Sequence, residues 1–397
     1  MYISNKESNL TYILRHVLYW DEIANLIFVG AMMALYSGIR GLAVAVFSLS
    51  SVFCGGLALV SPAASAEKVV LAYPAPVSWQ HSDFLFGKQL GFFAEEGIDL
   101  EMVAFQGTPV VVPQVANKSV TFGIADSSYL ISALDKNEPV PVRFVYNFVR
   151  AVSNDIAVLE SSPIKSLSDI KGKKLGVGST SFITQTLTKA VLKEAGVNWG
   201  DIEVLPIGLG PAAWKQLETG KVDAVNFFRS EDAKMRLSGL KIRQLFYPEK
   251  FSRIFVASVI AHEDTIRDRP KLIEGMGRAM AKSSIACLAN EQACMRAFWS
   301  FDPTSKPLPG KEAEWVDNAL PILRANYESV GYFHNDDRRW GVFPQNALGV
   351  YIEAMHANNI IKKSDIDQAK IYTNQFVPAF NDFNTQEIQN IAKNAKF

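Results

Sequence analysis

Residues 167–207 read LSDIKGKKLGVGSTSFITQTLTKAVLKEAGVNWGDIEVLPI, and this pattern leaves few choices of local fold. Leu175, Gly176 and Val177 form a short apolar run after a polar turn at Lys171, Gly172 and Lys173, which predicts a buried strand. Gly178, Ser179, Thr180 and Ser181 follow, and small hydroxyl residues directly ahead of a periodic segment signal a helix start. Ile183, Leu187, Val191 and Ala195 then recur at four-residue spacing along one helix face. Gly196 stands where a left-handed C-terminal cap belongs, and residues 202–207 resume a strand. The unit is β-loop-α-β, with free backbone N–H groups and three hydroxyls at a helix N-terminus. That arrangement suits an anionic or strongly polar ligand. Ser and Thr also cap helices that bind nothing.

The same alternation runs through the preceding chain. Residues 68–73 read as a strand stopped by Pro74 and Pro76, followed by a loop VSWQHS and a helix over 83–93. A strand at 98–105 leads to a helix with Pro109 in its first turn. A strand at 120–125 leads through Asp126, Ser127 and Ser128 into a helix, and 140–146 is a further strand. After the 155–159 strand and the 167–207 unit, a helix to about Thr219 and a strand at 222–227 complete a second α/β set. Residues 254–261 read as a strand returning to the first set. The remainder reads as helices over 264–285, 291–299, 312–327, 345–357 and 364–370. Such alternation predicts open α/β sheets with helices on both faces. Ligands bind such sheets outside the carboxyl ends of the strands. The predicted lobes are 67–156 with 254–397, and 157–253, joined by two short crossing strands.

Residues 1–66 stand apart as a signal peptide with an N-terminal extension. Arg40 precedes the uncharged run 41–60, Pro62 breaks it, and Ala64, Ser65 and Ala66 form a small-x-small cleavage site. Cleavage after Ala66 and export are expected, with Met32 or Met33 as alternative starts for an unusually long leader. An uncleaved anchor is the other reading, because twenty apolar residues can span a bilayer. Lys+Arg and Asp+Glu are each 40, so no basic footprint for nucleic acid appears. After Val60 no apolar run reaches membrane-spanning length, which predicts a soluble mature protein.

Several segments resemble a known family. LGFFAEEGIDLE at 90–101 is similar to a signature of periplasmic binding proteins for sulfonates, nitrate, taurine and thiamine-precursor pyrimidines. LSDIKGKKLGV at 167–177 resembles that family's entry into the second lobe, LETGKVDA at 217–224 its turn, and YTNQF at 372–376 a tail segment. The resemblance covers nearly all of the chain after Ala66. It implies a type II periplasmic binding fold, with two α/β lobes on a two-strand hinge and the C-terminal helices packed on the first lobe. It further implies a periplasmic monomer that needs no cofactor and delivers a small molecule to an ABC permease. Ligand binding would couple to hinge closure through its differential affinity for the closed state.

The candidate ligand-binding residues lie on the loops at the strand ends. Trp79 and His81 follow the first strand, Thr108 the second, and Asp126 and Ser127 head a helix. Ser179, Thr180 and Ser181 form the loop described above, and Phe228 and Arg229 close the strand facing the first lobe. Each has a plainer reading: Asp126 as a simple N-cap, His81 as a surface residue, Arg229 as a solvated cation. In the ligand reading Arg229 pairs a carboxylate or sulfonate bidentately. Tyr129 and Phe182 offer further aromatic walls. The histidines after Ala66 are far apart, so no metal spacing is present. No phosphate-binding loop or nucleophile elbow appears.

A small organic anion is therefore the expected ligand, with a neutral thiamine-precursor-like pyrimidine as the alternative. A fold-related pyrimidine-precursor synthase is the rival class. It would require a cysteine-rich motif, whereas only Cys287 and Cys294 follow Ala66. Seven residues of continuous helix span about 10.5 Å, beyond the ~7 Å that a disulfide bridges. Residues 288–291 read as a helix end and restart that would bring the two cysteines together; two buried thiols are the other reading.

Overall fold

Alternating burial builds the first strand, β1 (Glu67–Tyr73), which sinks Val69, Leu71 and Tyr73 while Lys68 and Val70 lie outward. The computed structural model describes residues 66–78, 81–178, 184–252, 254–255, 257–330 and 337–396. The segment 1–65, Trp79, Ser179, Thr180, Ser181 and Phe182 lie outside the described residues. The described residues belong to one unit.

The first sheet joins β1 to β2 (Ile98–Ala104), β3 (Phe122–Asp126), β4 (Val142–Tyr146) and β10 (Ala257–His262) in the order β2-β1-β3-β10-β4. The second joins β5 (Asn154–Leu159), β6 (Lys174–Val177), β7 (Glu203–Pro206), β8 (Ala224–Phe228) and β9 (Ile242–Leu245) in the order β7-β6-β8-β5-β9. The two sheets follow one plan. Three parallel strands, β2-β1-β3 or β7-β6-β8, form by β-α-β crossovers. The strand arriving from the other sheet, β10 or β5, then inserts antiparallel beside the third. The segments that cross between the sheets are tied where the Val149 N–H donates to the Ala257 carbonyl at 3.0 Å.

Helices α1 (Ser82–Gln89), α2 (Phe92–Glu95), α3 (Thr108–Ala116) and α4 (Ser127–Asp135) serve the first sheet. Helices α5 (Thr184–Glu194), α6 (Pro211–Glu218), α7 (Arg229–Leu237) and α8 (Glu249–Ser252) serve the second. Then come α9 (Glu263–Asp268), α10 (Pro270–Ala289), α11 (Glu291–Phe301), α12 (Glu312–Val330), α13 (Gly349–Ala357), α14 (Val377–Phe380) and α15 (Thr385–Asn394). One core lies between the first sheet, α1, α10, α11 and α12, around Phe84, Phe92, Phe122 and Met280. A second core runs from the opposite face of that sheet across to the second sheet, through Val111, Phe255, Leu348, Tyr351 and Leu187. The C-terminal helices thus reach both lobes: α12 packs on α7, and α13 on α5. Among the described residues no helix is long and apolar enough to cross a membrane.

The segment predicted as one helix over 83–93 is split by Gly91, whose φ of 86° no helix interior accommodates. The helix predicted over 364–370 shrinks to one 3-10 turn, Gln368–Lys370. The chain just ahead of it is pinned to the end of α4, because the Lys362 and Lys363 N–H groups both donate to Asp135 at 2.8 Å. The helix predicted from 345 begins at Gly349, after Asn346 takes a left-handed φ of 55°. Asn290 breaks the α10–α11 run at φ −147°, and its side chain caps α11 by accepting from the Ala293 N–H. That break brings the Cys287 and Cys294 Cα atoms to 5.0 Å, joined by a disulfide.

Candidate functional site

The described residues singled out from the sequence follow the carboxyl ends of β1, β2, β3 and β8. On the first lobe they turn inward and bond to one another. Thr108, at the start of α3, accepts the Asp126 N–H at 3.1 Å. Asp126 caps α4 by accepting the Ser128 N–H at 2.7 Å, and the Ser127 hydroxyl donates to the Phe255 carbonyl at 3.3 Å. Three turns of chain are thereby stitched together: α3, α4 and the segment returning from the second lobe. All three side chains are buried. Burial pushes the Asp126 carboxyl up to about 7.

His81 stands just before α1, 5 % exposed, with its ring 4.1 Å from that of Tyr73. Its Nδ1 accepts the Ser78 N–H at 3.1 Å, so the second nitrogen carries the proton in the neutral ring. Burial lowers this imidazole to about 4, which leaves it uncharged at neutral pH.

Phe228 ends β8 and Arg229 begins α7. The Arg229 Nε donates to Asp155 Oδ2 at 2.7 Å, and a terminal nitrogen pairs with Glu328 at 3.3 Å. Asp155 is fully buried at the start of β5, whereas Glu328 is 59 % exposed on α12. Arg229 therefore bridges the second lobe to a C-terminal helix, and two carboxylates take its charge. Behind it, Thr188 of α5 donates to Asn226 of β8 at 3.0 Å, and Tyr247 bonds both at 2.8 Å. Sequence reading missed this network because its members lie on three separate elements. Asp155 and Glu328 were invisible for the same reason.

A second buried polar group went unnoticed. Asp83, in the first turn of α1, reads as an ordinary helix-start acid. In the fold it is 2 % exposed, beside Tyr146 at the end of β4, and Tyr327 and Ser284 on the C-terminal helices. Burial raises its carboxyl to about 6. The hint in the sequence was an acid inside the run SDFLF, where every neighbour but Ser82 is apolar.

These shifts set a pH dependence with a definite sign. Asp126 and the buried Asp232 of α7 titrate near 7 when folded, and Asp83 near 6. Each binds its proton more tightly than in the unfolded chain, so each contributes stability that is lost as pH rises through the folded value. His81 acts oppositely, contributing stability above the ordinary histidine range and losing it as pH falls toward 4. Three carboxyls outweigh one imidazole between pH 6 and 8. Unfolding free energy from urea titration is expected to be about 2 kcal/mol higher at pH 6 than at pH 8. A flat or rising profile would contradict these environments.

Comparison with known proteins places the chain. A putative thiamine biosynthesis protein of Haemophilus influenzae is 26% identical over 281 residues, covering 68% of this chain and 85% of that protein. The 4-amino-5-hydroxymethyl-2-methylpyrimidine phosphate synthase of Legionella pneumophila is 25% identical over 314 residues, covering 75% and 88%. Among solved structures, the periplasmic aliphatic sulphonate binding protein SsuA of Escherichia coli superposes with a TM-score of 0.56 at 17% identity, covering 77% of this chain and 91% of that one. The fold is thus that of the periplasmic binding proteins. The family described as NMT1/THI5 like matches residues 78–293, more than half of the sequence, and the chain belongs to it.

Proposed function

We propose that this protein is an exported solute-binding protein that captures a small uncharged or weakly basic pyrimidine between its two lobes and hands it to a membrane permease. The carrying observation is the state of Arg229, the cation on which an organic-anion ligand was to rest. Asp155 and Glu328 both pair with it. His81 adds no charge, since burial holds it neutral. A sulfonate or carboxylate would have to displace Glu328 from the terminal nitrogens and share a guanidinium whose charge the buried Asp155 already offsets. A neutral heterocycle leaves the pair intact. The names of the two sequence relatives, a thiamine biosynthesis protein and a hydroxymethylpyrimidine phosphate synthase, support the pyrimidine class.

A synthase is the competing reading, favoured by the name of the Legionella relative. Against it, Cys287 and Cys294 are joined to each other at the α10–α11 junction. A disulfide fits an oxidising compartment, and with the leader it supports export. Transport to a permease and a monomeric state belong to the same reading, as do Trp79, Ser179, Thr180 and Ser181 as ligand contacts.

A thermal-shift panel of pyrimidines, sulfonates and carboxylates tests the reading. A pyrimidine at a hundredfold its Kd is expected to add about 2.7 kcal/mol of stability and shift the melt accordingly. Mass spectrometry should recover it unchanged. Stabilisation by sulfonates alone, or conversion of the pyrimidine, would refute the proposal.

A further inference from the structure

A two-lobed binder opens at a few residues of its crossing segments, which must be free to change φ and ψ. Here the outgoing crossing, residues 147–153, is bonded to the C-terminal part of the chain. The Asn147 N–H donates to the Gly341 carbonyl at 3.0 Å, and its side-chain amide donates to the Val342 carbonyl at 2.9 Å. The Arg150 N–H donates to the Ser329 carbonyl, in the last turn of α12, at 3.0 Å. The Arg150 side chain is buried. Its guanidinium lies 4.6 Å from the centre of the Trp340 ring and donates to the Arg339 carbonyl at 3.1 Å. Ala151 and Val152 are buried as well. The return crossing is held at both ends. Tyr247 bonds Thr188 and Asn226 in the second lobe, whereas Phe255 packs against Phe144, Phe343 and Tyr372 in the first.

Beyond the crossings, the C-terminal helices grip the second lobe on both faces of its sheet. On one face α12 packs on α7, and Glu328 pairs with Arg229 at 3.3 Å. On the other, α13 packs on α5, and the Lys193 Nζ donates to the Ala357 carbonyl at 2.8 Å. Both helices are rooted in the first lobe. Leu320 and Leu323 of α12 belong to the core around Met280. Leu348, at the head of α13, and Tyr351 and Ile352 within it share one continuous core with Val111 and Ile260 of the first lobe and Leu187 and Val191 of α5. Surfaces that merely face each other across a cleft part easily. A shared core does not, because swinging the lobes apart would carry its apolar side chains into water.

We propose that α12 and α13 clamp the two lobes into one rigid body, so that the ligand-free protein already holds the lobe arrangement described here. Binding is then not coupled to hinge closure, contrary to the expectation drawn from the family resemblance. A ligand moves a conformational equilibrium only by its differential affinity for two states, and the clamp leaves no populated open state to draw from. Strand ends kept in place before the ligand arrives spare it the cost of ordering them. The clamp goes beyond the functional reading above and holds whichever ligand the cleft takes.

Pulsed electron-spin distance measurement between labels at Glu138→Cys and Lys241→Cys decides the matter. Both residues are exposed, one ahead of β4 in the first lobe and the other ahead of β9 in the second, at strand ends turned away from the cleft. Cys287 and Cys294 are bonded to each other, and Cys54→Ser removes the remaining thiol. The ligand-free protein is expected to give a single narrow distance, the one between these positions in the present arrangement. Adding 4-amino-5-hydroxymethyl-2-methylpyrimidine, at a concentration that raises the melting temperature, should move it by less than about 2 Å. Glu328→Lys combined with Lys193→Glu sets repelling groups against Arg229 and the Ala357 carbonyl, at exposed positions that leave the core intact. That variant should add a second, longer distance. Two distances in the ligand-free parent protein, or a larger shortening on binding, would overturn the clamp. An unchanged distance in the charge-reversed variant would overturn the part given to Glu328 and Lys193. The ligand-free measurement stands apart from the pyrimidine reading: a pyrimidine that raises no melt sinks that reading alone, and the ligand-free distance still decides the clamp.

Discussion

Arg229→Met is expected to lower the unfolding free energy by about 3–5 kcal/mol in the absence of any ligand. Asp155 has no exposed side-chain surface, and its Oδ1 lacks a partner among the described residues. The 2.7 Å contact from Arg229 is the ion pair that keeps its carboxylate tolerable. Burial already raises the Asp155 carboxyl, against the pull of the guanidinium. Without the arginine the charge has no counterpart, and the group must take up a proton or unfold the strand end. The loss should therefore shrink as pH falls, since the folded state of the variant holds the proton more tightly than the unfolded chain. Replacing Asp155 with asparagine in the same variant should restore most of the stability, because no charge is then stranded. Glu328→Gln, at an exposed partner, should cost no more than about 1 kcal/mol. Urea titration of the four proteins separates the two roles of Arg229. An Arg229→Met protein as stable as the wild type would free the guanidinium for a ligand anion and return the sulfonate reading.

The contrast between Arg229 as read and as found shows where sequence reasoning stops. Period and punctuation were enough for the architecture. Val69, Leu71 and Tyr73 alternate, Pro109 opens a helix, and Gly196 closes one at φ 80°. Those signals are local, and local signals survive in a bare sequence. Errors came where a distant partner decides. The helix predicted over 364–370 keeps only its last turn, and just ahead of it Asp135 pins the backbone of Lys362 and Lys363. The strand β9 and the helix α7 were overlooked because RSEDAKMRL is polar with few apolar periods. The candidate site was legible only as positions. Thr108, Asp126 and Ser127 do sit at strand ends, but whether their hydroxyls and carboxylate turn toward a ligand or toward each other depends on contacts 18 and 128 residues away. Asp83 meets Ser284 across 201 residues, a separation that no motif records.

Gly341→Ala should cost about 3 kcal/mol, and the reason again lies outside the local sequence. Gly341 has a φ of 80°, where a Cβ adds ~1–2 kcal/mol of backbone strain. Its carbonyl accepts the Asn147 N–H at 3.0 Å, so the backbone is not free to turn away. A Cβ there would lie 2.7 Å from the Phe380 ring and 2.7 Å from the Tyr146 ring. Neither ring has room to retreat: both are buried and pack on each other at 5.3 Å between centroids. Overpacking of this kind adds ~1–3 kcal/mol. A double-mutant cycle with Phe380→Leu apportions the two costs. A smaller side chain at 380 relieves one of the two clashes, so the cycle should show a favourable coupling of roughly 1 kcal/mol. Strict additivity would assign the whole loss to the backbone. No loss at all would mean that the chain at Gly341 does not hold its left-handed turn.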